Sequence, residues 1–274
     1  ITLFDENAFN PYFNAPPGAD TFNEHVNILG KLLFNEKKLS ANKMRSCASC
    51  HIEEKAFTDG LAKNKTFTGK EVVLRNTPTI LYASLQPSLF ADSRVSFLED
   101  QAKQVIENPD EMHGDMKQAA IILGKDSLYK NFFYKAFKTI HVSSLHIQQA
   151  IAAYIRTKNA FNSPFDQYMR GDTAALNEDE KNGFNIFMGK AKCGACHFMP
   201  LFNGTIPPAY TETESEALAV PVKNTTPYIA DTDMGKYNFI QSTPYAHAFK
   251  TPTLRNIHLT APYMHNGVYN TMDE

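Results

Sequence analysis

Two short segments carry most of the information in this chain: residues 47–51 are Cys-Ala-Ser-Cys-His, and residues 193–197 are Cys-Gly-Ala-Cys-His. On a helical turn, side chains at positions i, i+3 and i+4 lie on one face, so each segment presents two thiols and one imidazole together. That spacing is the c-type haem attachment pattern, in which the thiols reach the porphyrin and the imidazole reaches its iron. We therefore predict two covalently bound haem c groups, held by Cys47, Cys50 and His51 and by Cys193, Cys196 and His197.

The same cysteines allow two other interpretations. Two Cys-x-x-Cys pairs can close a tetrahedral zinc site, and a single pair can act as a redox-active dithiol. The chain has four cysteines and the two segments use all of them, so none remains for a separate disulfide. The pairs lie far apart in the sequence, and the histidine that follows each of them has no part in dithiol chemistry. Haem attachment is the prediction, and zinc is the main alternative.

Length and composition set broader limits. A chain of 274 residues with 43% hydrophobic content can bury a core and favours two domains over one. The formal net charge of −2 offers no basic field for a polyphosphate backbone, so nucleic acid is not an expected partner. No apolar run approaches the roughly 20 residues that span a bilayer, and we expect a soluble protein.

Both ends of the sequence suggest that the protein is longer. The chain starts with Ile1 and shows no secretory signal pattern, so we expect that a leader or anchor has been removed. Residues 271–274, Thr-Met-Asp-Glu, resemble a capping box, which normally starts a helix. We therefore expect the protein to continue beyond Glu274.

Apolar periodicity predicts a mainly α fold with a weak internal repeat. Residues 30–34 (Gly-Lys-Leu-Leu-Phe) precede the first cysteine pair and residues 183–187 (Gly-Phe-Asn-Ile-Phe) precede the second, each as a short amphipathic helix. Apolar residues at three- and four-residue spacing predict three more helices, at residues 97–105, 116–123 and 144–160.

Capping and breaking residues divide the chain. Ser144 is the predicted N-cap of the helix at 144–160, and Asn177 is predicted to open a helix with acidic residues in its first turn. Residues 162–172 contain Pro, Gly and Asp and are the candidate linker. After His197 the sequence is rich in Pro, Thr and Asn, which predicts irregular structure. We place one haem domain at residues 1–163 and a second at 164–274, truncated at its C-terminus.

A series of short blocks resembles the bacterial di-haem cytochrome c peroxidases and their MauG-type relatives. The order of the blocks, which together span nearly the whole chain, is more specific than the haem segments alone. In chain order they are residues 29–34, 39–40, 46–51, 57–60, 75–79, 90–94, 98–101, 108–112, 251–256 and 259–267.

The resemblance implies a fold and an activity. The fold is a pair of all-α, cytochrome-c-like haem domains packed around an inter-domain interface, in a protein exported to the periplasm. The first haem would reduce hydrogen peroxide to water, and the second would accept electrons from a small cytochrome c or cupredoxin.

A calcium ion lies between the domains in this family, and its protein ligands correspond to the Asn76 side chain and the carbonyls of Thr260 and Pro262. Hard oxygen donors of this kind suit calcium. Dimers are common in the family, so a homodimer is a further implied state.

The resemblance also assigns the catalytic side chains. The family's distal carboxylate corresponds to Glu111 and its distal amide to Gln101. A carboxylate buried over the haem can move a proton between the peroxide oxygens, because desolvation raises its pKa towards the working pH. By composition alone Glu111 would be a solvated acid. Neighbouring Glu107 and Asp110 are predicted to be surface charges without such a role.

The sequence departs from the family pattern at three places. Residues 66–70 lack the loop histidine that blocks the peroxidatic iron in many members, which predicts a site that is open in the resting state. The family's tryptophan between the haems falls at Ala91, and this chain has no tryptophan. The glycine of the usual Asp-Gly-Arg is Ser93, which we interpret as a tolerable loop change. The sixth ligand of the second haem is expected beyond Glu274.

Three functions remain open at this point. The first is a peroxidase that draws electrons from a small redox protein. The second is MauG-type oxidation of a partner protein's side chains, which the missing loop histidine favours. The third is an electron carrier without peroxidase activity, against which Glu111 and Gln101 argue, because a carrier needs no distal acid.

Overall fold

The structure is a computed structural model that describes residues 23–274. Helices joined by long irregular segments make up the described part of the chain, which confirms the mainly α prediction. The eight α-helices of the described residues are α1 (Glu24–Phe34), α2 (Leu98–Glu107), α3 (Met116–Lys125), α4 (Ser127–Phe137), α5 (Ser144–Arg156), α6 (Pro164–Met169), α7 (Glu178–Met188) and α8 (Tyr237–Ile240).

Helix α5 forms the centre of the hydrophobic core in the first half. Eight of its residues, among them Ile147, Ala150 and Ile151, are buried, and α1 packs directly against it. The two backbones approach closely at Gly30, where an added Cβ would lie 2.0 Å from the carbonyl oxygen of Ala150. A side chain at position 30 would force the two helices apart.

Helix boundaries confirm some of the capping predictions and correct others. Helix α7 opens at Asn177, as predicted, and Asn177 also forms a capping box with Glu180. The N-cap of α5, however, is Ser143, whose side chain accepts a hydrogen bond from the His146 backbone N–H, so the prediction of Ser144 was wrong by one residue. Adjacent serines offer the same cap chemistry, and the tertiary position of the helix selects between them.

The candidate linker at 162–172 is also corrected, because it contains helix α6. Ser163 and Asp166 form a capping box at its start, and Pro164 occupies the first turn, where its missing N–H is harmless. The proline that suggested a break therefore marks a helix start. The proposed division of the chain at 163/164 stays a prediction.

The second half is mostly irregular after α7, as expected. Two short strands, β1 (Ser215–Ala217) and β2 (Ala248–Lys250), pair antiparallel with Ser215 opposite Lys250. In the range 23–274, no helix combines the length and the apolar character needed to cross a membrane.

Charged and backbone contacts join the two halves. The Arg75 guanidinium bonds Asp233 at 2.6 Å and Asp92 at 2.7 Å. The Lys250 backbone N–H donates to the Ala91 carbonyl at 2.7 Å, so position 91 lies at the contact between them. These contacts set the position of the second half against the loop at residues 75–95.

Candidate functional site

The first Cys-x-x-Cys-His segment forms a tight turn that groups its three side chains. A 3-10 helix covers Cys47–Ser49, and the His51 backbone N–H donates to the Cys47 carbonyl at 2.9 Å. The His51 ring nitrogen Nδ1 lies 2.9 Å from the Phe57 carbonyl oxygen, so Nε2 is the nitrogen that would bind the haem iron. Burial lowers the pKa of His51, so the imidazole is neutral, as a metal ligand requires.

The second segment repeats this geometry. A 3-10 helix covers Cys193–Ala195, the His197 backbone N–H donates to the Cys193 carbonyl at 3.0 Å, and His197 Nδ1 lies 3.0 Å from the Phe202 carbonyl. Orientation of a ligating imidazole through a carbonyl on its other nitrogen is the usual arrangement at metal sites. A backbone carbonyl therefore orients the Nδ1 atom of both histidines in the same way.

A second repeated element supports each histidine and was missed by the sequence analysis. The Thr79 hydroxyl donates to the Ala56 carbonyl at 2.6 Å, and the Thr253 hydroxyl donates to the Leu201 carbonyl at 2.6 Å. Each accepting residue directly precedes the phenylalanine whose carbonyl orients the histidine. The sequence did carry a signal, because both threonines end a Thr-Pro-Thr triplet, at 77–79 and 251–253.

The cysteines and their surroundings fit covalent haem. All four cysteines are free of disulfides. A shared zinc site would need the two cysteine pairs in one tetrahedral cluster, and the described part of the chain contains no such cluster. Burial raises the pKa of the Cys47 thiol to about 12, and the negative charge of Glu111 adds to this rise. The cleft beside the second segment has an apolar lining that suits the flat porphyrin ring. It is formed by Phe165, Phe187, Phe202 and Leu254.

One acidic cluster adjoins the second segment. Cys196, Glu214 and Glu216 place their ligand atoms within 4.8 Å of one another. A cysteine bound to a haem as a thioether no longer offers a thiolate, so this group does not compete with haem attachment. Glu214 instead accepts a hydrogen bond from the Thr251 hydroxyl at 2.5 Å.

Glu111 lies next to the first segment in a half-buried position. Its Oε1 accepts a hydrogen bond from Asn108 Nδ2 at 2.7 Å, while Oε2 accepts none from the described residues. Burial raises the pKa of the Glu111 carboxyl above its ordinary value, against the lowering effects of the Asn108 hydrogen bond and the charges of Arg94 and Arg45. Because the charge of Glu111 acts on the pKa values of both Cys47 and Cys50, the carboxylate lies close to the predicted haem attachment.

The other acids of the same stretch and the predicted amide differ from Glu111. Glu107 and Asp110 are exposed, which agrees with their predicted place at the surface. Gln101 is half-buried on α2, and its backbone N–H donates to the Phe97 carbonyl at 3.0 Å. Its role as the distal amide stays a prediction.

Residues 66–70 pack on the turn that carries Glu111. The Phe67 backbone N–H donates to the Asp110 carbonyl at 2.6 Å, and the Phe67 ring meets the His113 ring edge to face at 5.2 Å. Arg45 donates to the Thr66 carbonyl at 2.6 Å and to the Glu111 carbonyl at 3.2 Å. Sequence analysis did not single out Arg45, since a lone arginine in a loop carries no pattern of its own.

Asn76, one of the three predicted calcium ligands, lies at a contact between the two halves. The Asn76 backbone N–H donates to the His265 carbonyl, and its Nδ2 donates to the Leu61 carbonyl, both at 2.7 Å. The Asn76 side-chain oxygen Oδ1 therefore remains available to bind a cation. Within residues 23–274, neither that oxygen nor the carbonyls of Thr260 and Pro262 accept a hydrogen bond, so all three oxygens are available to a hard cation.

Comparison with known proteins decides the family. The family model for di-haem cytochrome c peroxidase matches residues 24–174, more than half of the chain. The chain belongs to this family. The methylamine utilization protein MauG of Methylorubrum extorquens is 32% identical over 258 residues, covering 94% of this chain and 69% of that protein. Cytochrome c551 peroxidase of Nitrosomonas europaea is 32% identical over 246 residues, covering 90% and 70%.

A solved structure agrees with these di-haem relatives. A MauG-like protein associated with microbial copper homeostasis has a TM-score of 0.85 and 30% sequence identity, and the alignment covers 97% of this chain and 80% of that one. The predicted family and its helical, two-haem fold are confirmed. The relatives named as cytochrome c peroxidases are oxidoreductases, and membership of a di-haem cytochrome family implies haem c as the cofactor.

Proposed function

We propose that this protein reduces hydrogen peroxide to water with two electrons from a small redox protein, a cytochrome c or a cupredoxin, which enter through the second half of the chain. One peroxide molecule, two electrons and two protons yield two water molecules. The observation that supports this activity is the half-buried Glu111, whose pKa is raised and whose charge acts on both cysteines of the first segment. Relatives named as peroxidases, from Nitrosomonas europaea among others, share about a third of the sequence.

Glu111, Asn108 and Gln101 have different proposed roles at the first site. When bound, the haem supplies the redox centre at which the O–O bond is reduced. Asn108 holds Oε1 of Glu111, so Oε2 takes the proton from the near peroxide oxygen and returns it to the departing oxygen. A raised pKa suits this exchange, because a general acid/base works best when its pKa lies near the operating pH. Gln101 is proposed to hold the peroxide by hydrogen bonding.

The experiment that tests the proposal replaces Glu111 with Gln in the holoprotein. E111Q keeps the shape of the side chain but cannot accept a proton. We expect peroxide turnover to fall by at least about 10²-fold, the lower end of the usual general acid/base contribution. Intact mass should still show two haems, and reduction of the second haem by the donor should be unchanged.

The matched control is D110N. Asp110 is the adjacent, exposed acid, and we expect its replacement to leave turnover within about twofold of wild type, since a solvated surface group takes no part in the proton transfer. Equal turnover in wild type and E111Q would contradict the proposed role of Glu111 and favour the electron carrier, whose two haems would both be low-spin in the resting spectrum.

MauG-type oxidation of a partner protein is the second candidate. It is favoured by the absence of histidine from residues 66–70 and by the similarity to MauG of Methylorubrum extorquens. A partner substrate would be oxidised at its side chains after peroxide has reacted. Consumption of peroxide without any small electron donor, coupled to modification of an added protein, would distinguish this function from the peroxidase.

Calcium, location and assembly are further parts of the proposal. Asn76 Oδ1 and the carbonyls of Thr260 and Pro262 are proposed to bind one calcium ion between the halves. Metal analysis should find one calcium per wild-type chain and a loss of it in N76A.

We also propose that the protein is periplasmic and forms a homodimer. Cell fractionation checks the location, and light scattering checks the assembly.

A further inference from the structure

Arg45 connects three segments around the first site. Its Nη2 donates to the Thr66 carbonyl at 2.6 Å and its Nη1 to the Glu111 carbonyl at 3.2 Å. Its backbone N–H donates to the Ser40 hydroxyl at 3.1 Å. Arg45 also lies two residues before Cys47, so a single side chain links the haem-attachment segment, the segment at 66–70 and the turn that carries Glu111.

Two of these three segments already contact each other without Arg45. The Ala41 N–H donates to the Met112 carbonyl at 3.1 Å, and an added Cβ on Gly114 would lie 2.1 Å from the Leu39 carbonyl. Residues 39–45 and 111–114 are therefore in direct contact before Arg45 adds its bonds. The segment at 66–70 contacts this region through the Phe67 amide, through the Phe67 ring on His113, and through the Arg45 guanidinium, which bonds to the Thr66 carbonyl.

We propose that Arg45 is a positioning residue, which clamps residues 66–70 onto the Glu111 turn and thereby keeps the distal side of the first haem site in its open arrangement. This inference rests on the proposed function, because it assigns Arg45 to the same site. A planar guanidinium with donors on two nitrogens can serve two carbonyls at once, whereas a lysine ammonium acts as a compact point charge.

The clamp has a geometric and an electrostatic effect. Geometrically, it holds the Thr66 carbonyl and the Glu111 backbone in fixed relation. Electrostatically, the positive charges that act on Glu111 are Arg45 and Arg94, and the neighbouring negative charge is Asp110. Loss of the charge at position 45 should therefore favour protonated Glu111, while loss of geometry alone should loosen the 66–70 segment.

The test compares wild type, R45Q and R45K as two-haem holoproteins by amide hydrogen exchange at residues 66–71. In both variants we expect exchange of the Phe67 amide to rise about tenfold, equivalent to roughly 1.4 kcal/mol, because neither replacement reproduces the planar guanidinium whose separate nitrogens reach the two carbonyls. The control is R170Q, which removes a guanidinium that bonds the Phe161 carbonyl and the Asn162 side chain away from this site. R170Q should leave exchange at 66–71 unchanged.

A second measurement separates charge from packing. In R45Q the acid limb of the pH profile for peroxide turnover should move to higher pH, whereas R45K and R170Q should retain the wild-type limb. Unchanged exchange at 66–71 in both R45Q and R45K would overturn the clamp, whether or not peroxide is turned over. Absence of turnover in wild type would instead contradict the proposed function, and the exchange data would still decide the clamp.

Discussion

At the scale of single residues, Ser93 has an unfavourable backbone conformation. Ser93, at the position of the family's glycine, has φ of +61°, in the left-handed region where a side chain costs roughly 1–2 kcal/mol and glycine does not. Its hydroxyl is buried and has no hydrogen-bond partner. Ser93 therefore occupies a strained position.

Replacing Ser93 with Gly should stabilise the protein. Relief of the left-handed strain exceeds the backbone entropy that glycine loses on folding, about 0.5–1 kcal/mol, and we expect a net gain of about 0.5–1 kcal/mol. Denaturant unfolding of the two-haem protein measures the difference. The exposed Ser96, which does not have positive φ, is the control, and S96G should lower stability. A fall in stability of S93G would show that the serine is not strained.

At the scale of elements, a buried ion pair holds helix α6 to the distant segment that carries Arg255. Arg255 donates to both carboxylate oxygens of Asp166, at 2.6 and 3.0 Å, and both residues are buried. Ser163 bonds the same carboxylate through its hydroxyl and its backbone N–H. Burial by itself raises the pKa of Asp166, but the Arg255 and Ser163 hydrogen bonds and the Arg255 charge outweigh it, so the pKa is lowered below its ordinary value of 3.8.

The D166N variant should therefore lose stability in a pH-dependent way. Removal of one partner of a buried pair leaves an unpaired charge and typically costs about 3–5 kcal/mol. Because the folded pKa is depressed, the contribution of Asp166 is complete above about pH 4 and is lost as pH falls through the folded value. Urea unfolding should show a large gap between wild type and D166N at pH 7 that narrows below about pH 4.

Asp179, exposed in the first turn of α7, provides the matched control for this pair. D179N removes the same charge where no buried partner depends on it, and we expect a loss of under about 1 kcal/mol. A gap between wild type and D166N that stays constant from pH 7 to pH 3 would exclude titration of Asp166 as its source.

At the scale of the whole molecule, contacts between distant segments decide how the two halves meet. Arg75 bridges Asp92 and Asp233, and its guanidinium lies 5.3 Å from the ring of Phe249. Phe249 stacks on His265 with ring centroids 3.9 Å apart. Ala91 lies in this interface as well, because its carbonyl accepts a hydrogen bond from the Lys250 backbone N–H.

The first site should react without prior reduction of the second. The segment at 66–70 carries no histidine, and Phe67 and Thr66 are bonded to the Glu111 turn and Arg45. We expect fully oxidised protein to bind cyanide within the mixing time of a manual experiment, and semi-reduced protein to bind it at a similar rate. Binding that appears only after reduction of the second haem would show that another residue blocks the site.

Local chemistry was predictable from the sequence. The attachment residues follow from a spacing that a helical turn imposes on its own side chains, and the observed turns at Cys47–Ser49 and Cys193–Ala195 have that form. The start of α7 followed from Asn177 and its acidic first turn. The boundary at Ser143 and the helix inside residues 162–172 did not follow, because the same residue types cap helices and break them.

The sequence by itself determined the two haem segments, the helical class and the family, since each depends on residue types at short spacing or in fixed order. Only the tertiary structure decided that Glu111, Thr66 and Arg45 meet, that Phe57 and Phe202 orient the two histidines, and that Asp166 pairs with Arg255. These partners are brought together by the packing of distant segments. Their hydrogen bonds and altered pKa values exist only after that packing has removed water from the groups involved.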